Sequence, residues 1–203
     1  GGLHQGLPYI RESPNIGFMS EKTPLCKFGW KAPDFTLSST KSDVVNLKKL
    51  VSNSKCSGFL IMFICNHCPY VNSIVKKIVI NCSDLQQYGV FSLAICSNDS
   101  VKYPEDSFEK MKTYSTSNGF TFPYLHDSDQ KVAKLYDAKC TPDFFGFNES
   151  GLLQYRGRLD ATGRQPTNEL LDRELFNAMI LIARTGEGPP EQKASIGCSI
   201  KWK

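Results

Sequence analysis

Two cysteines separated by two residues, Cys65 and Cys68, have the spacing best suited to chemistry in this sequence. The run 58–64 before them is apolar and rich in β-branched and aromatic residues, which is typical of a strand buried on both faces. Pro69 follows and opens a stretch with apolar residues at helical spacing, and proline is favoured in the first turn of a helix. Thiols at such a junction can form and break a disulfide, because the sulfurs can meet and the helix start stabilises a thiolate. The pattern therefore predicts a thiol–disulfide centre.

The order of the two thiols predicts their roles. We expect Cys65 to lie nearest the solvent-facing helix start and to act as the nucleophile, and Cys68, one turn further in, to resolve the mixed disulfide. His67 precedes Cys68, and a partly cationic imidazole there favours the thiolate. We therefore predict that Cys65 has a pKa well below the usual cysteine value of about 8.5, which makes the disulfide more oxidising. The plainer alternative is an exposed His67 that is not coupled to either thiol.

A C-x-x-C pair has two other interpretations, half of a zinc site or two inert buried thiols. A zinc site needs a second pair of ligands. The remaining cysteines and histidines are scattered singly, at Cys26, Cys56, Cys82, Cys96, Cys140, Cys198, His4 and His126. We therefore expect no metal and no other cofactor. In a third interpretation the protein is a binding or scaffold module in which the C-x-x-C forms only a structural disulfide.

Composition excludes several classes of protein. The 203 residues suit one domain, and a net charge of +4 without a dense basic tract gives no reason to expect a nucleic-acid partner. No segment has the roughly 18 consecutive apolar residues of a membrane span, so we expect no membrane partner. Eight cysteines at irregular spacing do not suggest a disulfide scaffold, and a cytoplasmic location is favoured. The start lacks a Met and an apolar signal core, and a targeting segment removed before it would leave no trace.

Helical and extended patterns alternate along the chain. The helix after Pro69 is predicted to run to about Tyr88, and a second buried strand from Val90 to Cys96. Further helices are predicted at 108–114, 129–137 and 167–185, and extended segments at 122–125, 144–147 and 152–158, with a hairpin near 35–47. This order predicts an α/β fold with a mixed central β-sheet flanked by helices.

Two terminal segments stand outside this pattern. Residues 1–28 are predicted to form an irregular arm, residues 29–186 the domain, and residues 187–203 a C-terminal extension. Pro189 and Pro190 prevent the last helix from continuing. Apolar residues follow them, where a disordered tail would be polar. These residues are Ile196, Ile200 and Trp202. We therefore predict that the tail packs on the domain, and we regard Cys198 within it as a candidate additional redox thiol.

Several motifs resemble one known group of proteins. They are Ala-Pro-Asp-Phe at 32–35, Cys-Asn-His-Cys-Pro-Tyr-Val at 65–71, Tyr-Pro-Glu-Asp-Ser at 103–107, Cys-Thr-Pro-Asp at 140–143, Tyr-Arg-Gly-Arg at 155–158 and Gly-Cys-Ser-Ile-Lys-Trp at 197–202. Together they resemble the thioredoxin-fold superfamily, and within it the AhpC/TSA, peroxiredoxin-like branch. The resemblance covers about residues 29–203 and implies a thioredoxin-like fold.

The resemblance also implies a function. It points to a thiol–disulfide oxidoreductase acting on protein or small-molecule thiols and disulfides, with a thioredoxin- or glutathione-type electron donor. Thr141-Pro142 fills the place of a cis-proline element that packs against the C-x-x-C and positions an extended substrate. Cys140 is adjacent and is a candidate additional redox thiol, although strand alternation can turn its side chain away.

A thiol-dependent peroxidase is the enzyme alternative, and two departures weigh against it. In peroxiredoxins the peroxidatic cysteine aligns with Cys68 and is preceded by a threonine three positions earlier, where this chain has Cys65. The arginine that supports the peroxidatic thiolate lies near the cis-proline position, where this chain has Cys140-Thr141-Pro142. Peroxide chemistry would therefore lack two of its usual supports.

Overall fold

A computed structural model describes residues 19–203; the start of the predicted arm, with His4, lies outside the described residues. The strands in chain order are β1 (Ser20–Lys22), β2 (Thr36–Ser39), β3 (Val44–Asn46), β4 (Gly58–Phe63), β5 (Val90–Cys96), β6 (Tyr124–His126), β7 (Cys140–Thr141), β8 (Asp143–Asn148), β9 (Leu153–Tyr155) and β10 (Ile196–Ser199). The helices are α1 (Leu47–Val51), α2 (Pro69–Asn72), α3 (Val75–Gln86), α4 (Phe108–Ser117), α5 (Lys131–Tyr136) and α6 (Glu174–Thr185).

A seven-stranded sheet with the order β3-β2-β6-β5-β4-β8-β9 forms the centre. Strand β4 pairs in parallel with β5 and antiparallel with β8, so the sheet is mixed. Every residue of β4 is buried, as an unbroken apolar strand in the middle of a sheet requires. The predicted mixed central sheet flanked by helices is confirmed.

The two faces of the sheet bury separate hydrophobic clusters, because successive side chains of a strand point to opposite sides. Leu60 and Met62 of β4 lie in the cluster that includes residues of α2, α3, α4 and α6. Phe59, Ile61 and Phe63 lie in the cluster that includes residues of α1 and α5. Packing on both faces of the sheet therefore fixes the position of the end of β4. The residues that follow β4 are positioned by it.

A second sheet, of three strands, joins the two ends of the described chain. Strand β10 lies between β1 and β7 and is antiparallel to both. The buried part of the tail is the short stretch around β10, with Cys198 and Ile200, whereas Ile196 is 50% and Trp202 41% exposed. The expected burial of Ile196 and Trp202 is wrong, because Ile196 pairs with exposed Lys22 of the edge strand β1 and Trp202 lies beyond the end of β10. The predicted boundaries of the arm, domain and tail remain predictions.

Two predicted helices differ from the structure. The helix after Pro69 is interrupted between α2 and α3, where the Ser73 hydroxyl donates to the Gly163 carbonyl at 2.7 Å. The last helix, α6, begins seven residues later than predicted, since Leu170 is fully exposed and offers it no packing. Arg173, just before α6, donates to Asp84 on α3 at 2.9 Å and holds the helix start there. None of the helices within 19–203 combines the length and apolar character needed to cross a membrane.

Candidate active site

The two cysteines lie where the buried strand β4 turns into α2. Ile64 continues the ladder by donating its backbone N–H to Ile95 at 3.0 Å, and Cys65 follows it directly. Cys68 is the N-cap of α2, with Pro69 in the first turn, and its carbonyl accepts the N–H of Val71 at 3.1 Å. The strand-to-helix junction predicted for the C-x-x-C is therefore present.

Both thiols are buried. Cys65 and Cys68 are each 1% exposed and belong to the same apolar cluster as Cys198 of β10. The prediction that Cys65 lies nearest the solvent is wrong, because β10 pairs with β7 and contacts α2 beside the dithiol. The tail thus lies beside Cys68, the second thiol of the pair.

Thr141 and Pro142 lie against the sulfurs, and the peptide bond between them is cis. The Cys65 sulfur is 3.5 Å from the Thr141 hydroxyl oxygen. The Cys68 sulfur is 3.2 Å from the Thr141 carbonyl oxygen, which accepts the Cys68 proton when that residue is a thiol. One residue therefore contacts both sulfurs, in the place that the resemblance implied.

The environment lowers the pKa of Cys68 and not that of Cys65. Hydrogen bonds from the Cys198 and Cys65 side chains lower the pKa of Cys68, in spite of its burial. The hydrogen bond to Cys68, together with burial, raises the pKa of Cys65, and the contact with Cys68 likewise raises the pKa of Cys198. The predicted low pKa of Cys65 is therefore wrong, because its proton is used to stabilise the neighbouring thiolate.

His67 pairs with a buried carboxylate. Its Nδ1 lies 2.7 Å from Oδ2 of Asp106, and the Asp106 side chain is wholly buried. The pKa of His67 is raised, and the largest cause is its hydrogen bond to Asp106. Asp106 also acts on Cys65 and contributes to its raised pKa. The imidazolium charge that we expected to favour a Cys65 thiolate is thus balanced by the carboxylate beside it.

Asp106 also holds the backbone between the cysteines. Its Oδ1 accepts the backbone N–H of Asn66 at 2.8 Å, and its Oδ2 accepts the side-chain amide of Asn98 at 2.9 Å. Asn66 in turn accepts the hydroxyl of Tyr124 at 2.8 Å. The sequence analysis assigned no role to Asp106. The only available signal was its place in the Tyr-Pro-Glu-Asp-Ser motif.

Three side chains of the site offer a potential metal-binding set. The ligand atoms of Cys65, His67 and Asp106 all lie within 4.8 Å of one another. In the reduced state they provide three protein ligands, the number found in zinc sites that keep an open position. A disulfide at Cys65 removes the thiolate ligand, so metal binding and disulfide formation exclude each other. The sequence analysis considered only cysteine and histidine spacing and therefore overlooked the carboxylate.

The two candidate additional thiols differ in position. Cys198 reaches the site, and its sulfur is 2.8 Å from that of Cys68. Cys140 is also buried, but its sulfur contacts the Pro142 carbonyl at 3.5 Å. Burial raises the pKa of the Cys140 thiol. Because Cys140 and Thr141 are successive strand residues, their side chains point to opposite faces, and only Thr141 contacts the dithiol.

The arginines of the Tyr-Arg-Gly-Arg motif form ion pairs away from the sulfurs. Arg156 donates through Nη2 to Asp143 at 2.8 Å, and both side chains are buried. Arg158 donates to Glu174 at the start of α6 at 2.9 Å. Arg156 therefore ties β9 to β8, and Arg158 ties the following loop to α6. Both contacts are structural.

A cavity of about 310 Å³ opens beside the cis-proline. Residues from α2, the loop after β9 and the tail line it. They are Tyr70, Ile74, Pro142, Phe144, Arg158, Leu159, Asp160, Ala161, Thr162, Gly163, Arg164, Ala194, Ser195 and Ile196. It is a concave surface next to Pro142 that can receive part of a reactant.

Comparisons with known proteins agree with this architecture. The model of the AhpC/TSA family matches residues 28–156. An uncharacterized conserved protein from Geobacillus kaustophilus is 40% identical, with a TM-score of 0.84, over 92% of this chain and 98% of its own. A hypothetical protein from Sinorhizobium meliloti 1021 is 31% identical, with a TM-score of 0.82, over 91% of this chain and 99% of its own.

A more distant structure shows the fold. The thioredoxin domain of a thiol-disulfide oxidoreductase from Bacteroides vulgatus is 15% identical, with a TM-score of 0.56, over 74% of this chain and 93% of its own. The predicted thioredoxin-like fold is thereby confirmed. Among the curated proteins, none matches the sequence.

Proposed function

Because the chain belongs to the AhpC/TSA family, we propose that it is a thiol–disulfide oxidoreductase with Cys65 and Cys68 as its redox centre. The observation that carries this proposal is the contact of both sulfurs with Thr141, directly before the cis-proline. In the reaction the reduced centre gives two electrons to a substrate disulfide. The substrate leaves as two thiols, and a disulfide forms between Cys65 and Cys68.

The roles of the two thiols follow from their environments. The thiolate is the attacking species in disulfide exchange, and the hydrogen bonds from Cys65 and Cys198 favour it at Cys68. We therefore assign the attack on the substrate disulfide to Cys68, in contrast to the order expected from the sequence. Cys65 then attacks the mixed disulfide at Cys68, and the remaining substrate thiol is released.

Thr141, His67 and Asp106 position the centre. Thr141 presents its hydroxyl to one sulfur and its carbonyl to the other, and with Pro142 it fixes the surface that a substrate meets. His67 and Asp106 hold the loop between the cysteines, through their ion pair and through the bond from the Asn66 backbone. In this proposal His67 is a positioning residue.

Turnover requires a partner on each side of the reaction. Disulfides of proteins or small molecules are the oxidised substrates, and the cavity beside Pro142 offers room for the group attached to the reacting sulfur. A thioredoxin- or glutathione-type thiol returns the centre to the dithiol state. The cytoplasm, where such thiols are kept reduced, is the compartment that suits this cycle.

A thiol-dependent peroxidase is the second candidate, and the stabilised thiolate at Cys68 favours it. By resemblance, Cys68 occupies the peroxidatic position. Its thiolate would attack one peroxide oxygen and become a sulfenic acid, with water or an alcohol as the leaving group. The Cys65 thiol would then displace water and form the same disulfide. Within residues 19–203, no arginine is among the hydrogen-bond partners of the Cys65 and Cys68 sulfurs, and Arg156 pairs with Asp143 instead.

The proposal is tested by counting free thiols before and after mild reduction, followed by an insulin disulfide reduction assay and a peroxide consumption assay. We expect reduction to free the two thiols of one disulfide, and insulin turnover to be lost in Cys68→Ser and lowered in Cys65→Ser. Cys26→Ser, a half-buried cysteine outside the site, is the matched control and keeps its activity. Peroxide consumption without insulin turnover would establish the peroxidase instead. A scaffold would show no turnover in either assay.

A further inference from the structure

The C-terminal strand lies along the part of β7 that faces the dithiol. In the antiparallel pairing of β10 with β7, Cys198 is opposite Thr141 and Ser199 is opposite Cys140. Cys198 is thereby paired with the residue that contacts both sulfurs of the centre. The chain's own strand occupies the backbone edge that an extended substrate would use, and it places a cysteine there.

The contact between Cys198 and Cys68 is close. Their sulfurs are 2.8 Å apart in the free-thiol structure. A disulfide bond is about 2.05 Å long, so the two atoms need to approach by less than about 1 Å. Such a shift is small for two side chains, so the pair can close with little change in the backbone.

We propose that Cys198 is a third redox cysteine, which exchanges with the Cys65–Cys68 disulfide to form a Cys68–Cys198 disulfide. The proposal rests on the thiol–disulfide function proposed above. The Cys198 thiolate attacks the Cys68 sulfur, the Cys65–Cys68 bond breaks, and Cys65 leaves as a thiolate that takes up the proton lost by Cys198. The step is an exchange without net oxidation. The original two-electron oxidation comes from the substrate disulfide.

Contacts on both sides of Cys198 hold the strand in place. The Ser195 hydroxyl donates to the Pro142 carbonyl at 2.7 Å, and the Lys201 backbone N–H donates to the Asn98 side chain at 3.0 Å. Gly197 lies so close to β7 that a Cβ there would be 2.0 Å from the Thr141 carbonyl oxygen. A thiol held in this way reacts as if it were present at very high concentration, because its position is already fixed before reaction.

The exchange changes which thiol is available to the next reactant. With the disulfide between Cys65 and Cys68, the tail thiol is free and the first cysteine is not. With the disulfide between Cys68 and Cys198, Cys65 is a free thiol and the tail is covalently attached beside the cis-proline. The two oxidised forms are isomers of equal redox state, and Cys68 is common to both.

Trypsin separates the two isomers. The sequence places Cys65 and Cys68 in one tryptic peptide, 56–76, and Cys198 in another, 194–201. The full-length protein is oxidised in buffers of oxidised and reduced glutathione, acid-quenched, alkylated, digested and analysed by mass spectrometry. We expect a disulfide-linked pair of these peptides in the wild type. The link should be lost in Cys198→Ser and in Cys68→Ser. It should persist in Cys65→Ser, where Cys198 displaces glutathione from Cys68, and in the control Cys140→Ser.

A second variant moves the thiol without removing it. Gly197→Ala should push β10 away from Thr141 and slow the formation of the linked peptides by on the order of tenfold to a hundredfold. Asn168→Ala is the control, at an exposed position outside β10 and outside the cavity lining. An internal disulfide in peptide 56–76 with Cys198 always alkylated would overturn the role of Cys198 and leave the proposed function intact. The lack of any disulfide at Cys65 or Cys68 would overturn both.

Discussion

Asp106 lies between His67 and the backbone of the C-x-x-C loop, with one carboxylate oxygen 2.7 Å from the His67 ring and the other 2.8 Å from the Asn66 nitrogen. A single buried side chain therefore fixes both the ring and the loop that carry the dithiol. The carboxylate is wholly buried. If it is removed, no water molecule can take its place as the acceptor of these hydrogen bonds.

We expect Asp106→Asn to destabilise the protein by about 3 kcal/mol, because the change removes the acceptor of charge-assisted hydrogen bonds and leaves buried donors unpaired. For a chain of this size, such a loss corresponds to a fall in Tm of roughly 6–12 °C. Thermal unfolding followed by circular dichroism measures it. Glu105→Gln is the neighbouring control at an exposed position and should change the stability by less than about 0.5 kcal/mol. Equal effects of the two changes would contradict the role given to Asp106.

The His67–Asp106 pair should make stability depend on pH. Asp106 raises the pKa of His67 in the folded state, so the stabilisation is fully present below the unfolded value of about 6.5 and is lost as pH rises through the raised value. The difference in unfolding free energy between wild type and His67→Gln should therefore be larger at about pH 6 than at about pH 9. Denaturant unfolding at both pH values measures it.

His126 provides a control of opposite sign. Burial lowers the pKa of His126 in the folded state, so the folded protein resists protonation there and loses stability as pH falls. Comparison of wild type with His126→Gln should thus show the wild-type residue becoming less favourable towards acid pH. The same direction of change for both histidines would show that a general effect of net charge, rather than the two local environments, sets the dependence.

The thiolate of the reduced centre should be at Cys68. Titration of thiolate absorbance in the ultraviolet is expected to give one midpoint below the usual value of about 8.5. This midpoint should disappear in Cys68→Ser and move upwards in Cys198→Ala, which removes the first hydrogen-bond donor to that sulfur. Cys140→Ala is the control and should leave it in place. A low midpoint that persists in Cys68→Ser would show that it belongs to another thiol, such as Cys65.

Trapping of a mixed disulfide should require two changes. Cys65 and Cys198 both lie beside Cys68, so either can resolve a mixed disulfide formed there. We expect Cys65→Ser/Cys198→Ser to accumulate a glutathione adduct, seen as a mass increase of the intact protein, and each single variant to accumulate much less. An adduct that accumulates in Cys68→Ser instead would show that Cys65 attacks first.

The tail should stabilise the fold through Ile200 rather than Trp202. Ile200 is 4% exposed and packs in the cluster with residues of α1 and α5, whereas Trp202 is 41% exposed. Ile200→Ala should cost about 2–4 kcal/mol of unfolding free energy, and Trp202→Ala less than about 1 kcal/mol. Denaturant unfolding compares them directly. A larger loss of unfolding free energy in Trp202→Ala than in Ile200→Ala would mean that contacts of the last residues, and not of Ile200, attach the tail to the domain.

The sequence predicted the parts of this molecule that depend on local pattern. The apolar run of β4, the proline that opens α2 and the alternation of strands and helices are all encoded by neighbouring residues, and they placed the dithiol correctly. The thiol environments are not encoded in this way. Cys68 lies beside Cys198, which is 130 residues further along the chain. Asp106 balances His67 across a loop. Such contacts depend on how distant segments pack together, and spacing gives no measure of that.

Strand β10 is the middle strand of its sheet, with β1 along one side and β7 along the other. Uncovering the sulfurs therefore means detaching a strand bonded on two sides, which is harder than the fraying of a loose end. Among residues 19–203, the edges of this sheet left without a partner strand are the outer edges of β1 and β7, on either side of β10. If the dithiol acts as proposed, a protein substrate has to compete with the molecule's own strand for the backbone of Thr141. A small disulfide needs only an opening wide enough for its sulfurs, so the short strand at the end of the chain would favour small reactants over large ones.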